Sequence, residues 1–262
     1  MDLGLNGKVV LVTGGSKGIG LACARGFAAE GARIAIASRD AANLAQAKAA
    51  LAAEGIEVHT VAADLSDSAQ ADAMVRDVEA ALGPIDVLVT SAGAARRTPP
   101  DELGAAHWHA AMAAKYFTTI HAMQAVLGGM AARGSGAIVN IVGMGGKVAT
   151  PTHIPGGAAN AALMLASAGL AHAHARHGIR INVVNPGLTQ TERLHEGFAA
   201  EARASGRTVE DILALRVAAA PLGRLAQPED IANMVVFLAS PRAGYVSASV
   251  IGIDGAATPM VV

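Results

Sequence analysis

The chain has a single cysteine among its 262 residues, and aromatic residues make up only 3% of it. One thiol, Cys23, excludes an internal disulfide framework and fits a reducing compartment. With so few aromatics, any core must be built from Ala, Val, Ile and Leu; at 52% hydrophobic residues there is enough material for one. Excess charge is also lacking. A formal net charge of -1 argues against an electrostatic nucleic-acid binder, which carries a basic balance or stripe. His172, His174 and His177 have no Cys or carboxylate cluster beside them, so they read as a solvated helix end and no metal site is expected. Met1-Asp2-Leu3-Gly4 has neither the basic start nor the apolar run of a signal peptide. The most apolar stretch, Ala158 to Ala171, falls short of the roughly 20 residues of a membrane span. These absences predict a cytoplasmic protein with no membrane and no nucleic-acid partner.

What the chain does contain is a regular alternation. Lys8 to Thr13 is a short β-branched run, followed by helical character from Ile19 to Glu30 and a stop at Gly31. Further strands are expected at Arg33–Ser38, Glu57–Ala62, Ile85–Ser91, Ala137–Val142, Ile179–Val184 and Ser249–Asp254, with Ala-rich helices near 42–54, 68–82, 101–132, 156–177 and 228–239. The strands are continuous apolar runs, the pattern of strands buried on both faces. Repeated βα units require a parallel sheet with helices on both sides. The expected fold is a single α/β domain over 1–262, Rossmann-type, with a doubly wound parallel seven-stranded sheet. Segment 188–227 interrupts the rhythm and is a candidate lid over a ligand site, because ligands in such sheets sit beyond the strand C-termini.

Thr13-Gly14-Gly15-Ser16-Lys17-Gly18-Ile19-Gly20 joins the first strand to the first helix. Glycines there let the backbone approach a pyrophosphate, and the helix N-terminus supplies free N–H groups. The second strand ends in Ser38-Arg39 where an NAD-selective site would place an acidic side chain, so NADP(H) is favoured over NAD(H): the Arg39 guanidinium suits a 2′-phosphate.

The Thr-Gly-x-x-x-Gly-x-Gly spacing resembles that of the short-chain dehydrogenase/reductase family, and the likeness covers nearly the whole chain. By this resemblance Gly14, Ser16, Lys17, Gly18, Ile19 and Gly20 hold the pyrophosphate, with Lys17 where many NADP-using relatives carry a base. Asp64 and Leu65 fall where the family contacts the adenine, and Ser91-Ala92-Gly93 where it usually carries Asn-Ala-Gly. Pro186, Gly187, Leu188, Thr189 and Thr191 correspond to its Pro-Gly loop, at the nicotinamide carboxamide. Gly223 to Ala232, Phe237 to Ser240 and Asp254-Gly255 match its C-terminal signature. The resemblance implies an oxidoreductase acting on a small carbonyl or alcohol, assembled as a homotetramer; two apolar helices, near 101–132 and 156–177, also call for burial against something.

The resemblance breaks at the catalytic positions. Relatives carry a Ser after the fifth strand, a Tyr-x-x-x-Lys pair opening the next helix, and an Asn on the fourth helix. The corresponding residues here are Gly143, Gly156, Asn160 and, counting from Trp108, Lys115. Lys115 is therefore the candidate replacement acid or base and ribose anchor, with His153 next, its ring suited to proton transfer near neutrality. The alternative is a non-redox or inactive cofactor-binding protein. Arg96 and Arg97 read first as a solvated loop, with an anionic substrate as the other reading.

Overall fold

The computed structural model describes residues 2–93 and 96–260. Seven strands form, at β1 Val9–Thr13, β2 Arg33–Ser38, β3 Val58–Ala62, β4 Val87–Thr90, β5 Gly136–Ile141, β6 Ile179–Pro186 and β7 Val250–Ile253. All are parallel, in the order β3-β2-β1-β4-β5-β6-β7. This is the doubly wound α/β architecture that the alternation predicts. The chain reverses direction across the sheet between β1 and β4, and that switch point opens a crevice at the strand C-termini.

The core follows from the two-sided burial of the strands. Successive β1 residues point to opposite faces. Val10 and Val12 pack with α1 (Gly18–Ala29), α2 (Ala41–Ala53) and α9 (Pro228–Ala239); Val9 and Leu11 pack with α3 (Ser68–Leu82) and α5 (Thr118–Arg133). Phe27 of α1 and Met130 of α5 are fully buried, and each such side chain contributes about 1.5–3 kcal/mol. Arg180 ties the far end of the sheet together. Its guanidinium donates to the carbonyls of Leu238 (2.7 Å), Ala239 (3.1 Å) and Ser240 (3.0 Å), capping the C-terminus of α9.

Three expectations need correction. The helix expected over 101–132 is not continuous. A 3₁₀ turn at Pro100–Glu102 precedes α4 (Ala105–Ala111), and a π-helical segment at Met112–Phe117 separates α4 from α5. Segment 188–227 is helical rather than irregular, carrying α7 (Glu192–Ser205) and α8 (Val209–Ala218). Both are capped by threonine: the Thr191 hydroxyl accepts from the Leu194 amide, and Thr208 and Asp211 form a capping box. Finally, α6 (Ile154–His174) runs through a 3₁₀ turn to His177. At 24 residues it is long and apolar enough to cross a membrane by length and composition, unlike the shorter stretch read from the sequence. Half of its most apolar window is buried inside the fold, and its Ser167 accepts a 2.9 Å hydrogen bond from Asn140 of β5.

Candidate active site and cofactor cleft

Every sequence-predicted cofactor residue lies at the C-terminal edge of the sheet. Gly14 turns the chain out of β1 at a φ of +69°, and a Cβ there would stand 2.6 Å from the Ala92 amide nitrogen, so only glycine permits the approach of this loop to the segment after β4. Ser16, Lys17 and Gly18 follow, and Gly18, Ile19 and Gly20 open α1. Lys17 at the N-cap offers that helix no side-chain hydrogen bond. The first amides of α1 therefore have no side-chain acceptor, and such an end fits a pyrophosphate. The buried Thr13 hydroxyl beside it likewise has no partner among the described residues. Lys17 itself is committed differently from expectation: its ammonium pairs with Glu192 of α7 at 3.0 Å rather than standing free for a phosphate.

At the end of β2, Ser38 is followed by an exposed Arg39. The neighbouring acid, Asp40, does not compete for a ribose hydroxyl. Its carboxylate caps α2, accepting from the amides of Ala42 (2.8 Å) and Asn43 (3.0 Å). Asp64, after β3, accepts from the amide and hydroxyl of Ser66 at 3.0 and 2.8 Å. These bonds, with a smaller contribution from the Arg39 charge, hold its carboxyl below the usual range. Leu65 has its side chain in the core, and its carbonyl is bonded by His121 Nδ1 at 2.9 Å.

Across the switch point, Ser91-Ala92-Gly93 continues β4. Gly93 lies against the π-helical segment; a Cβ on it would stand 2.6 Å from the Ala114 carbonyl and 3.3 Å from the Lys115 Cα. That packing sets Lys115 beside the crevice. Burial, and secondarily the charge of Arg193, push the Lys115 ammonium down to about 8. His153, just before α6, is pushed below its ordinary value by burial, then by Lys115 and by Arg97. The two sequence-predicted catalytic groups are thus within reach of each other's charge. Tyr116 points away, into the cluster of Val142, Leu163, Met164 and Val183.

The floor of this region comes from β5 and α6. Asn140 accepts from Thr90 (2.7 Å) and donates to Ser167, fixing β4, β5 and α6 in one buried network. Past β5, Gly143 takes a φ of +126°, donates its amide to Asn185 Oδ1 at 3.0 Å and receives a long hydrogen bond from Asn160 Nδ2 at 3.4 Å. Asn160 is buried, and neither its Oδ1 nor His153 Nδ1 has a partner among the described residues. Beyond β6, Pro186, Gly187, Leu188 and Thr189 run into Thr191, the cap of α7. Gln190 and the Ala226 carbonyl (2.8 Å), and Ala226 and the Leu188 carbonyl (3.1 Å), hold this loop in place. The first two residues of α7 reach across the crevice, Glu192 to Lys17 and Arg193 to the Gly93 carbonyl at 3.3 Å. Neither was singled out from the sequence, where the only signal was a charged pair directly after the Pro-Gly loop. A separate cavity of about 390 Å³, lined by Leu188, Leu222, Leu225 and Ile253, lies behind that loop and is not lined by Lys115 or His153.

The description of short chain dehydrogenase matches this chain over residues 8–202. The chain belongs to the short-chain dehydrogenase/reductase family. It is similar to gluconate 5-dehydrogenase of Gluconobacter oxydans (strain 621H), 34% identical over 97% of this chain and 96% of that one. Among solved structures it resembles L-sorbose reductase from Gluconobacter frateurii complexed with NADPH and L-sorbose (TM-score 0.91, 33% identity, 97% and 98% of the two chains). It also resembles 7α-hydroxysteroid dehydrogenase complexed with NADH and 7-oxo glycochenodeoxycholic acid (TM-score 0.87, 27% identity, 97% and 95%).

Proposed function

We propose that this chain is an NADP(H)-dependent oxidoreductase that interconverts a carbonyl and an alcohol on a small molecule, with Lys115 as its acid/base group. The observation that carries the reading is the partly buried Lys115 ammonium, lowered to about 8, whose backbone packs against Gly93 after β4 and whose charge reaches His153 at the start of α6. Family membership and relatives named for alcohol and sugar oxidation or reduction support the reaction type. The exposed Arg39, with Asp40 committed to a helix cap, supports a 2′-phosphate over a bare ribose, and NADPH in the sorbose reductase agrees. NADH in the hydroxysteroid dehydrogenase leaves that preference resting on Arg39.

At the positions where relatives carry Ser, Tyr and Lys, this chain has Gly143, Gly156 and Asn160, so the acid/base work passes to another group. When bound, the nicotinamide supplies or accepts the hydride. In the reductive direction the Lys115 ammonium donates a proton to the carbonyl oxygen; in the oxidative direction the free amine takes it from the hydroxyl. A value near 8 keeps both forms populated around neutrality. His153, pushed below its ordinary value first by burial and then by the Lys115 and Arg97 charges, is the second candidate proton carrier. The helices α7 and α8 act as the lid over 188–227, with Glu192 and Arg193 as its contacts to the opposite rim.

The test is a calorimetric titration with NADPH and NADH, followed by a panel of ketones and aldehydes with NADPH oxidation as readout. Tighter binding of NADPH together with turnover that is lost in Lys115→Ala is the expected result. NADPH binding with no turnover across the panel would assign the chain to the non-redox alternative.

A further inference from the structure

We propose that the substrate carries an oxyanion, as a carboxylate or a phosphate ester, and that this group docks among Arg97, Arg193, His153 and Lys115. This substrate class rests on the oxidoreductase reading for its carbonyl, and on these four side chains alone for its charge.

The ground is convergence from separate elements. Among the described residues, Lys115, Arg97 and Arg193 have no carboxylate within 4.0 Å, so no acid of the chain already fills the space between them. Arg97 donates to the Thr152 hydroxyl at 3.5 Å, and the Thr98 amide bonds the Thr152 carbonyl at 2.9 Å, so this arginine is held beside His153. Arg193 reaches in from α7 to the Gly93 carbonyl, directly against the backbone of Lys115. The guanidiniums thus arrive from two rims of the same crevice, on either side of Lys115 and His153. Burying cations and gathering like charges without a counter-ion are both unfavourable; burial first, and the neighbouring charges second, push Lys115 and His153 down. A bound oxyanion supplies the counter-ion. Guanidinium forks match carboxylate and phosphate oxygens bidentately, and the unpartnered His153 Nδ1 adds another polar atom.

The deciding measurement is calorimetric binding to the NADP-loaded protein of a panel of oxo acids and keto phosphates, each matched with a neutral partner: the amide of the acid, the free alcohol of the phosphate. At least one anion is expected to bind tenfold or more tightly than its neutral partner. In Arg97→Ala/Arg193→Ala, both exposed positions, that ratio should fall toward one. Preference for the acids assigns a carboxylate, and preference for the phosphates a phosphate ester. No anion exceeding its neutral partner, or a preference unchanged in the double variant, overturns the proposal. Because binding is read without turnover, the two readings fail separately. An anion that binds without oxidising NADPH removes the reaction and keeps the anion site. Turnover of neutral ketones with no anion preference does the reverse.

Discussion

The two sides of the crevice differ in how far their polar groups are satisfied. On the β1–β3 side, Asp40 and Asp64 are both occupied by hydrogen bonds from their own neighbours, and Arg39 is left exposed at the rim. On the β4–β6 side, Lys115 has no carboxylate partner, and His153 Nδ1 and Asn160 Oδ1 are buried without one. The carboxylates of the first side are satisfied as folded, and among the described residues only the Thr13 hydroxyl is buried there without a partner. The second holds unfavourable charge and unpaired atoms, which in folded proteins concentrate where a ligand is to be bound or transformed. If cofactor recognition falls on the first side and chemistry on the second, as proposed, substitutions should separate them.

The largest effect is expected from Lys115→Ala. Turnover should fall by roughly 10²–10⁴ while NADPH affinity changes far less and the melting temperature does not drop. Loss of affinity with retained turnover would invert the comparison and make Lys115 a ribose anchor. The same residue gives a signed pH dependence. Carbonyl reduction needs the ammonium, so its rate should decline as pH rises through about 8, while alcohol oxidation, needing the amine, should rise through it. Stability has its own sign. The folded chain holds this proton less tightly than the unfolded one, whose lysine keeps its ordinary value near 10.5. Between about 8 and 10.5 the unfolded state binds more protons, so stability should increase with pH across that window, and Lys115→Met should abolish the increase in pH-dependent denaturation.

On the other side, Arg39→Ala should weaken NADPH by roughly 10–100-fold, the worth of a charge-assisted hydrogen bond, and leave NADH nearly unchanged. Equal losses for both cofactors would place Arg39 outside the 2′-phosphate. An intermediate effect concerns assembly. Phe117 and Leu165 are 44% and 78% exposed on the segments expected to associate. Light scattering should return a tetramer, and Leu165→Glu should lower the mass; a monomer in the parent protein removes the expectation. The smallest effect belongs to Glu192→Gln. The Lys17–Glu192 pair is exposed, and such pairs are worth about 0–1 kcal/mol. NADPH release should change by no more than a few-fold, and less at high salt.

The sheet was legible because its strands are dense apolar runs; β2 falls on the expected Arg33–Ser38, and no other strand end shifts by more than two residues. The two loops flanking the crevice were legible as turns because close backbone approach demands glycine at Gly14 and Gly187. The π-helical segment was not. Met112-Ala113-Ala114-Lys115-Tyr116-Phe117 has ordinary helical composition, and its register depends on packing against Gly93, a contact from outside the segment. The helices α7 and α8 were missed although Thr191 and the Thr208–Asp211 box stand at their starts: α7 is amphipathic but polar on average, and α8 has almost no apolar face. Arg193 and the pairing of Lys17 could not be read at all, because both are contacts between distant parts of the chain.

Gly143 has a consequence for how this site could be rebuilt. Its φ of +126° lies where an L side chain is strained, whatever room surrounds it. Placing a serine at 143 is therefore not a side-chain exchange alone: the peptide after β5 is held in that conformation by the Gly143–Asn185 bond, and a side chain on it meets the strain first. A laboratory lineage selected for a serine there would be expected to alter the 143–146 backbone before it accepts one.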